Sequence, residues 1–146
     1  PGLVHYHVGS IEGLRRAAAC EGARSLLEGP FREVLEAPNL REGLLAFLLR
    51  LDLKPDYPGV VLLNEALVAA THDAELRSDL ATMFSTFRAR LAERLAAQKG
   101  AHAGEAEARA LVLVAAVDGF LLQRALDPNL GAEQLIRGIE PFLEPQ

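Results

Sequence analysis

The sequence predicts an all-α fold, and three observations carry that reading. Apolar residues recur every three or four positions along most of the 146-residue chain, the spacing that lines one face of a helix. No segment shows the sustained alternation of a half-buried strand, and the valine-rich patches at 60–61 and 112–117 lie inside stretches of helix length. The composition leans on Ala, Leu, Arg and Glu, as long helices do.

Ser10 is placed to cap a first helix from Ile11 to about Glu28, and Gly29 and Pro30 stop it. A second helix spans about Leu40 to Leu53, where Leu44, Leu45, Phe47, Leu48, Leu49 and Leu51 leave little polar face. Pro55 and Pro58 break the chain after it. A third helix, about Gly59 to Thr71, carries Val60, Leu63, Leu67 and Ala70 along one side, with Asn64 as an inserted polar residue; His72 and Asp73 end it. The fourth is the longest, with Leu76, Leu80, Phe84, Phe87, Leu91 and Leu95 at intervals of four, four, three, four and four. Arg77, Asp79, Arg88, Glu93 and Arg94 take its other faces. A fifth helix begins at Glu105, after a loop bracketed by Gly100 and Gly104, and ends near Asp127 because Pro128 cannot continue it. A last helix runs from about Ala132 to Leu143.

Half of the chain is apolar, enough for one continuous core, so a single domain is expected. Twenty acidic residues against fifteen basic ones leave a net charge of -5, so any contact with nucleic acid is local or lies elsewhere. Cys20 is the only cysteine, which excludes an internal disulfide, a cysteine zinc cluster and a CxxC redox pair and suits a reducing cytoplasm. The longest apolar run, Ala110 to Val117, falls far short of the roughly 20 residues that span a bilayer, so a soluble protein with no membrane partner is expected. The chain opens on Pro1, within sequence that reads as structured, and further sequence is expected ahead of it. No GxGxxG, P-loop, GxSxG or HExxH pattern is present, and the expectation is a protein that is not an enzyme and holds no cofactor.

From Ala110 to Leu122 eleven of thirteen residues are apolar, the exceptions being Asp118 and Gly119. A helix with that pattern is hydrophobic on every side and is expected to be buried all round. The last helix adds Leu135, Ile136, Ile139, Phe142 and Leu143 on one side. Two arrangements satisfy the pattern: a symmetric four-helix interface between two copies, or the fifth helix at the centre of a monomeric bundle. Gly119 costs about 1 kcal/mol relative to Ala inside a helix, and so points to a close backbone approach by a neighbour. Asp118 reads either as an ion-paired structural residue or as a polar group lining a cavity.

The opening segment, Gly2 to Leu14, resembles the end of the DNA-recognition helix and the start of the following helix in the TetR family of transcriptional regulators. Against that family's pattern, roughly G-x-L-Y-x-H-F-x-x-K-E-x-L, Gly2, His7, Glu12 and Leu14 match. Val4 stands at the leucine, His5 at the tyrosine, Val8 at the phenylalanine and Ile11 at the lysine. The run from Val114 to Pro128, with its Asp118-Gly119 pair and its Leu126-Asp127-Pro128 ending, is similar to the helix that precedes the family's last one.

The resemblance implies a TetR-like bundle whose last two long helices form a dimer four-helix bundle. Residues 1–9 would be the remnant of a helix-turn-helix domain and residues 10–146 a ligand-binding, dimer-forming body. It further implies a homodimer, operator DNA and a small-molecule effector as partners, and a repressor relieved by a mostly hydrophobic ligand. His5, Tyr6 and His7 would contact DNA phosphates, although His7 reads equally as a histidine packed between helices. Ile11 cannot supply the phosphate contact of the family's lysine.

The expected dimer residues are Val117, Phe120, Leu121 and Arg124 on the fifth helix and Leu135, Ile139 and Phe142 on the last. For the ligand, Met83, Phe84 and Phe87 offer soft and aromatic surface, joined by Leu67 and by the polar Asn64 and Asp118; each is also compatible with ordinary core. A metal site is not expected, because His5 and His7 point nearly opposite ways on a helix and no cluster joins them. His72 and His102 read as solvated or capping residues. The rival from another class is a helical interaction or scaffold domain with a dry core and no ligand.

Overall fold

The computed structural model describes residues 11–52, 58–98 and 102–143, and these form seven helices. They are α1 (Ile11–Glu28), α2 (Pro30–Glu36), α3 (Leu40–Asp52), α4 (Pro58–Ala69), α5 (Ala74–Ala96), α6 (Ala103–Leu126) and α7 (Ala132–Leu143). Among the described residues there is no strand, as the sequence predicts. Ser10 and the DNA-contact candidates His5, Tyr6 and His7 lie outside them.

Six of the helices match the expected ones, and α2 is a correction. Gly29 and Pro30 do end α1, but Pro30 also opens the next helix. Its locked φ suits a first helical position, where a missing N–H costs no hydrogen bond. Seven residues are too few for a periodic pattern, yet α2 delivers Phe31 into the core, with its ring centroid 4.6 Å from that of Phe47 and 4.4 Å from that of Phe87.

Caps set the starts of two helices. The Asn39 side chain accepts from the backbone N–H of Arg41 at 2.9 Å and Glu42 at 3.3 Å, opening α3. Asp73 starts α5, accepting from the N–H of Glu75 at 3.1 Å and Leu76 at 3.0 Å. Each satisfies donors that the helix itself leaves unpaired.

One core runs through the body, with Leu48, Leu76, Leu95 and Ile136 its largest fully enclosed side chains. α5 and α6 pack along each other, and α7 sits against α3 and α6. Arg41 pairs with Glu140 at 2.8 Å, tying α3 to α7. α7 is clamped to α6 at both ends. Arg124 donates to the Leu130 carbonyl at one end, and the buried Arg109 donates to the Phe142 carbonyl at 2.9 Å at the other. A cation beside the last carbonyls of α7 also meets the negative end of its dipole.

α1 packs chiefly on α4. There Gly22 lets the two backbones close up: a Cβ at this position would stand 2.5 Å from Leu62 Cβ. Gly43 does the same for α2 and α3, where a Cβ would stand 2.6 Å from that of Ala37.

The expectation that Ala110 to Leu122 is buried all round does not hold within the chain. Leu113, Val114, Val117, Phe120 and Leu121 face the core, whereas Leu111, Val112 and Leu122 are 56%, 40% and 55% exposed. The core takes one side of α6 and leaves the other bare.

Candidate effector groove and outward helix face

Three of the six residues expected to meet a ligand converge where α4, α5 and α6 meet. α4 and the turn after it contribute Leu67, Ala70 and Thr71; α5 contributes Arg77, Leu80, Ala81, Phe84 and Arg88; α6 contributes Leu111, Val114, Ala115 and Asp118. They enclose an open groove of about 470 Å³ with mostly apolar walls, within the size range of small-molecule sites. The positions on α5 are one stripe, since 77, 80, 81, 84 and 88 follow the three- and four-residue steps of a helix face.

Polar groups are few here and differ in their state. Arg77 donates to the Ala70 carbonyl at 3.3 Å, bridging the end of α4 to the first turns of α5. The Thr71 hydroxyl is taken by the Val68 carbonyl at 2.7 Å. Asp118 accepts no hydrogen bond among the described residues, and burial pushes its carboxyl up to about 6 against the counter-pull of the Arg88 charge. Desolvation outweighs a cation that is near but not paired.

Of the expected ligand residues, Leu67, Phe84 and Asp118 meet in this groove. Met83 and Phe87 do not join them. They line a second groove of about 420 Å³, with Arg32, Leu35, Thr82, Thr86 and Arg90. Met83 and Phe87 are four residues apart and lie on one face of α5, turned from the face that carries Leu80, Phe84 and Arg88. Asn64, half-buried on α4, lines neither groove. Between the Phe31, Phe87, Leu113 and Val117 side chains the interior void is only about 20 Å³, room for little more than a water. Among the described residues the larger spaces are open grooves at the surface, not hollows in the core.

Sequence reasoning missed Arg77, Arg88 and Leu111. The two arginines read as residues of the solvent side, although their spacing to Leu80, Ala81 and Phe84 was the signal for a second, mixed stripe on this helix.

The residues expected at a dimer interface divide by burial. Val117, Phe120, Leu121 and Ile139 are at most 8% exposed and belong to this chain's own core, so they are off the surface a partner can reach. Arg124 is spent on the Leu130 carbonyl. Leu135 is half-buried and Phe142 exposed. The free apolar surface of α6 is instead Leu111, Val112, Ala115 and Leu122, with Gly119 among them, and among the described residues neither Gly119 nor Gly138 of α7 has anything within 4 Å of where a Cβ would lie. No neighbour among the described residues explains the glycine at 119.

The first helix is anchored next to the groove. Arg16 of α1 pairs with Asp73 at 3.0 Å and also with Glu75, so Asp73 holds α1 while it caps α5. These bonds hold the Asp73 carboxyl below its ordinary range, the Leu76 N–H first among them. Cys20, on the same helix, is no activated nucleophile: burial, then Asp79, pushes its thiol up. Among the described residues no helix is long and apolar enough to cross a membrane.

A family model described as tetracyclin repressor-like, C-terminal domain, matches residues 36–144. No curated protein and no solved structure gives a significant match to the chain. With an all-helical body and a matched span covering most of its length, the protein belongs to the TetR family, and residues 36–144 are its C-terminal domain.

Proposed function

We propose that this chain is the effector-sensing and dimer-forming body of a one-component transcriptional repressor, whose hold on operator DNA is relieved by a small, mostly hydrophobic ligand. The observation that carries this reading is the position of the groove. It ends on the turn after α4, and the same turn holds α1 through Arg16 and Asp73. α1 is the lever in this mechanism. It follows the segment resembling a recognition helix, so a shift at the α4–α5 turn changes the spacing of two DNA-reading domains in a dimer. The DNA contacts are assigned to His5, Tyr6 and His7, the body to residues 10–146, and the site of action to the cytoplasm.

The dimer is assigned to the outward face of α6 together with Leu135 and Phe142 of α7. A contiguous apolar face left bare by its own chain is a typical interaction site, and a four-helix arrangement covers it. Leu111 and Ala115 belong to this face and to the groove wall alike, so ligand and partner would meet there.

The ligand must favour the conformation that releases DNA, because equal affinity for both states shifts nothing. The test is a thermal-shift screen joined to operator-binding titration of the full-length protein. Ligands that raise its melting temperature are expected to weaken operator affinity at least tenfold; ligands that bind the body and never change DNA affinity overturn the mechanism. The small space left between Phe31, Phe87, Leu113 and Val117 favours one rival, a helical interaction domain with no ligand, and a screen in which nothing binds would select it.

A further inference from the structure

Within the groove read above as the effector site, two charged groups face each other without meeting. Arg88 makes no hydrogen bond or ion pair among the described residues, yet its charge acts on Asp118, which also accepts no hydrogen bond there. Arg77, the third charged group of the lining, spends one N–H on the Ala70 carbonyl and keeps others free. α4 brings only Leu67, Ala70 and Thr71 to this wall, so Arg77 and Arg88 of α5 and Asp118 of α6 are all the charge the groove holds. Two guanidinium groups against one carboxyl leave an excess of positive charge over apolar walls.

We propose that the groove takes an amphiphilic monocarboxylate, its head group held by Arg88 and Arg77 beside Asp118 and its chain laid along Phe84, Leu80 and Leu111. This rests on the reading of the groove as the effector site. A planar carboxylate matches the guanidinium fork, which a point cation does not offer. An amine would meet two cations and only one carboxyl.

The carboxylate brings a second negative charge next to Asp118, whose burial already disfavours ionisation. Like charges at one site cannot both ionise, so binding draws a proton onto Asp118, and its carboxyl O–H then donates to the ligand. Affinity for the acid therefore falls as pH rises from about 6 to 8, by up to tenfold per pH unit. The Ala70 carbonyl competes with the ligand for Arg77, which links head-group binding to the end of α4 and the turn that holds α1.

The test compares octanoate, octanamide and octylamine, binding each to the full-length protein by calorimetry between pH 5.5 and 8, with operator affinity measured in parallel. Octanoate is expected to bind at least tenfold more tightly than the other two and to do so with proton uptake. Arg88→Gln and Arg77→Gln, each checked for an unchanged melting temperature, should weaken octanoate at least tenfold and leave octanamide within threefold. Asp118→Asn should keep octanoate binding and flatten its pH dependence.

Octanamide or octylamine binding as tightly as octanoate overturns the proposal, as does no binding at all or indifference to both arginine variants. Octanoate that binds as expected but leaves operator affinity unchanged upholds the ligand class and sinks the regulatory reading. Release of operator by an uncharged or cationic compound in the same groove does the reverse.

Discussion

Between Ala110 and Leu122 both the inward and the outward side of α6 carry apolar residues, and the molecule treats them oppositely. Inward, Leu113, Val114, Val117, Phe120 and Leu121 are each at most 8% exposed, filling the space against α5 and α7. Outward, Leu111, Val112 and Leu122 stand in solvent around Ala115 and Gly119. The inward side chains are large and fill an interior; the outward centre is small and leaves a shallow surface. A helix that needs only a core does not need the second half, which is why that half is assigned to a partner.

The glycines draw the same contrast. Gly22 and Gly43 are explained inside the chain, because a Cβ there would collide with Leu62 and Ala37. Gly119 and Gly138 are not, since a Cβ there meets nothing among the described residues. The first pair serves the fold; the second pair marks surface where another backbone can come close.

The comparison can be broken at four points. The largest effect is expected inward: Leu113→Ala should cost about 2–5 kcal/mol by urea denaturation, the sum of lost burial and the cavity left behind. A loss near zero would mean that this face is not core.

Asp118, at the edge between the halves, comes next. Its carboxyl is held up near 6 instead of the ordinary 3.8, so the folded state prefers the protonated form. The native chain then binds more protons than the unfolded one between about pH 4 and 6, and stability falls as pH rises through that window and stays low above it. Asp118→Asn should remove this slope and stabilise the chain at pH 7.5 by on the order of 1–3 kcal/mol. A melting temperature insensitive to the substitution would show the carboxyl to be well solvated.

Gly119→Ala should act in two directions. Without a clash in the chain it should stabilise the isolated body by about 1 kcal/mol through helix propensity, while weakening dimers that use the close approach. Stabilisation with an unchanged dimer constant by analytical ultracentrifugation would remove the argument from Gly119.

The smallest effect on folding is expected from Leu122→Glu, within about 0.5 kcal/mol because the side chain is already in water. The same variant, and Phe142→Glu with it, should convert the dimer to a monomer by light scattering. An unchanged mass for both would take the interface off this face.

Much of the architecture was legible because it depends on local rules. The apolar spacing of Leu76 to Leu95 announced α5, and Pro128 announced the end of α6. Pro30 was legible only as a stop, since one residue type serves both as a break and as a helix start. Of the residues singled out for a ligand, Leu67, Phe84 and Asp118 share one groove and Met83 and Phe87 another, and the two arginines of the first groove were passed over. An arginine on a helix reads as solvent-facing until the neighbouring helix is known to leave a channel beside it.

By itself, then, the sequence determined the helical class, the order of six of the seven helices and the surplus of apolar surface on α6, because periodicity and helix breakers act over a few residues. Only the tertiary structure decided which side of α6 is spent on the core, that about 20 Å³ is left between Phe31, Phe87, Leu113 and Val117, and that Arg77 and Arg88 share a groove with Asp118. Those outcomes depend on how α4, α5 and α6 lie against one another, and that is set by the fit of many side chains far apart in the chain, which no single window of sequence contains.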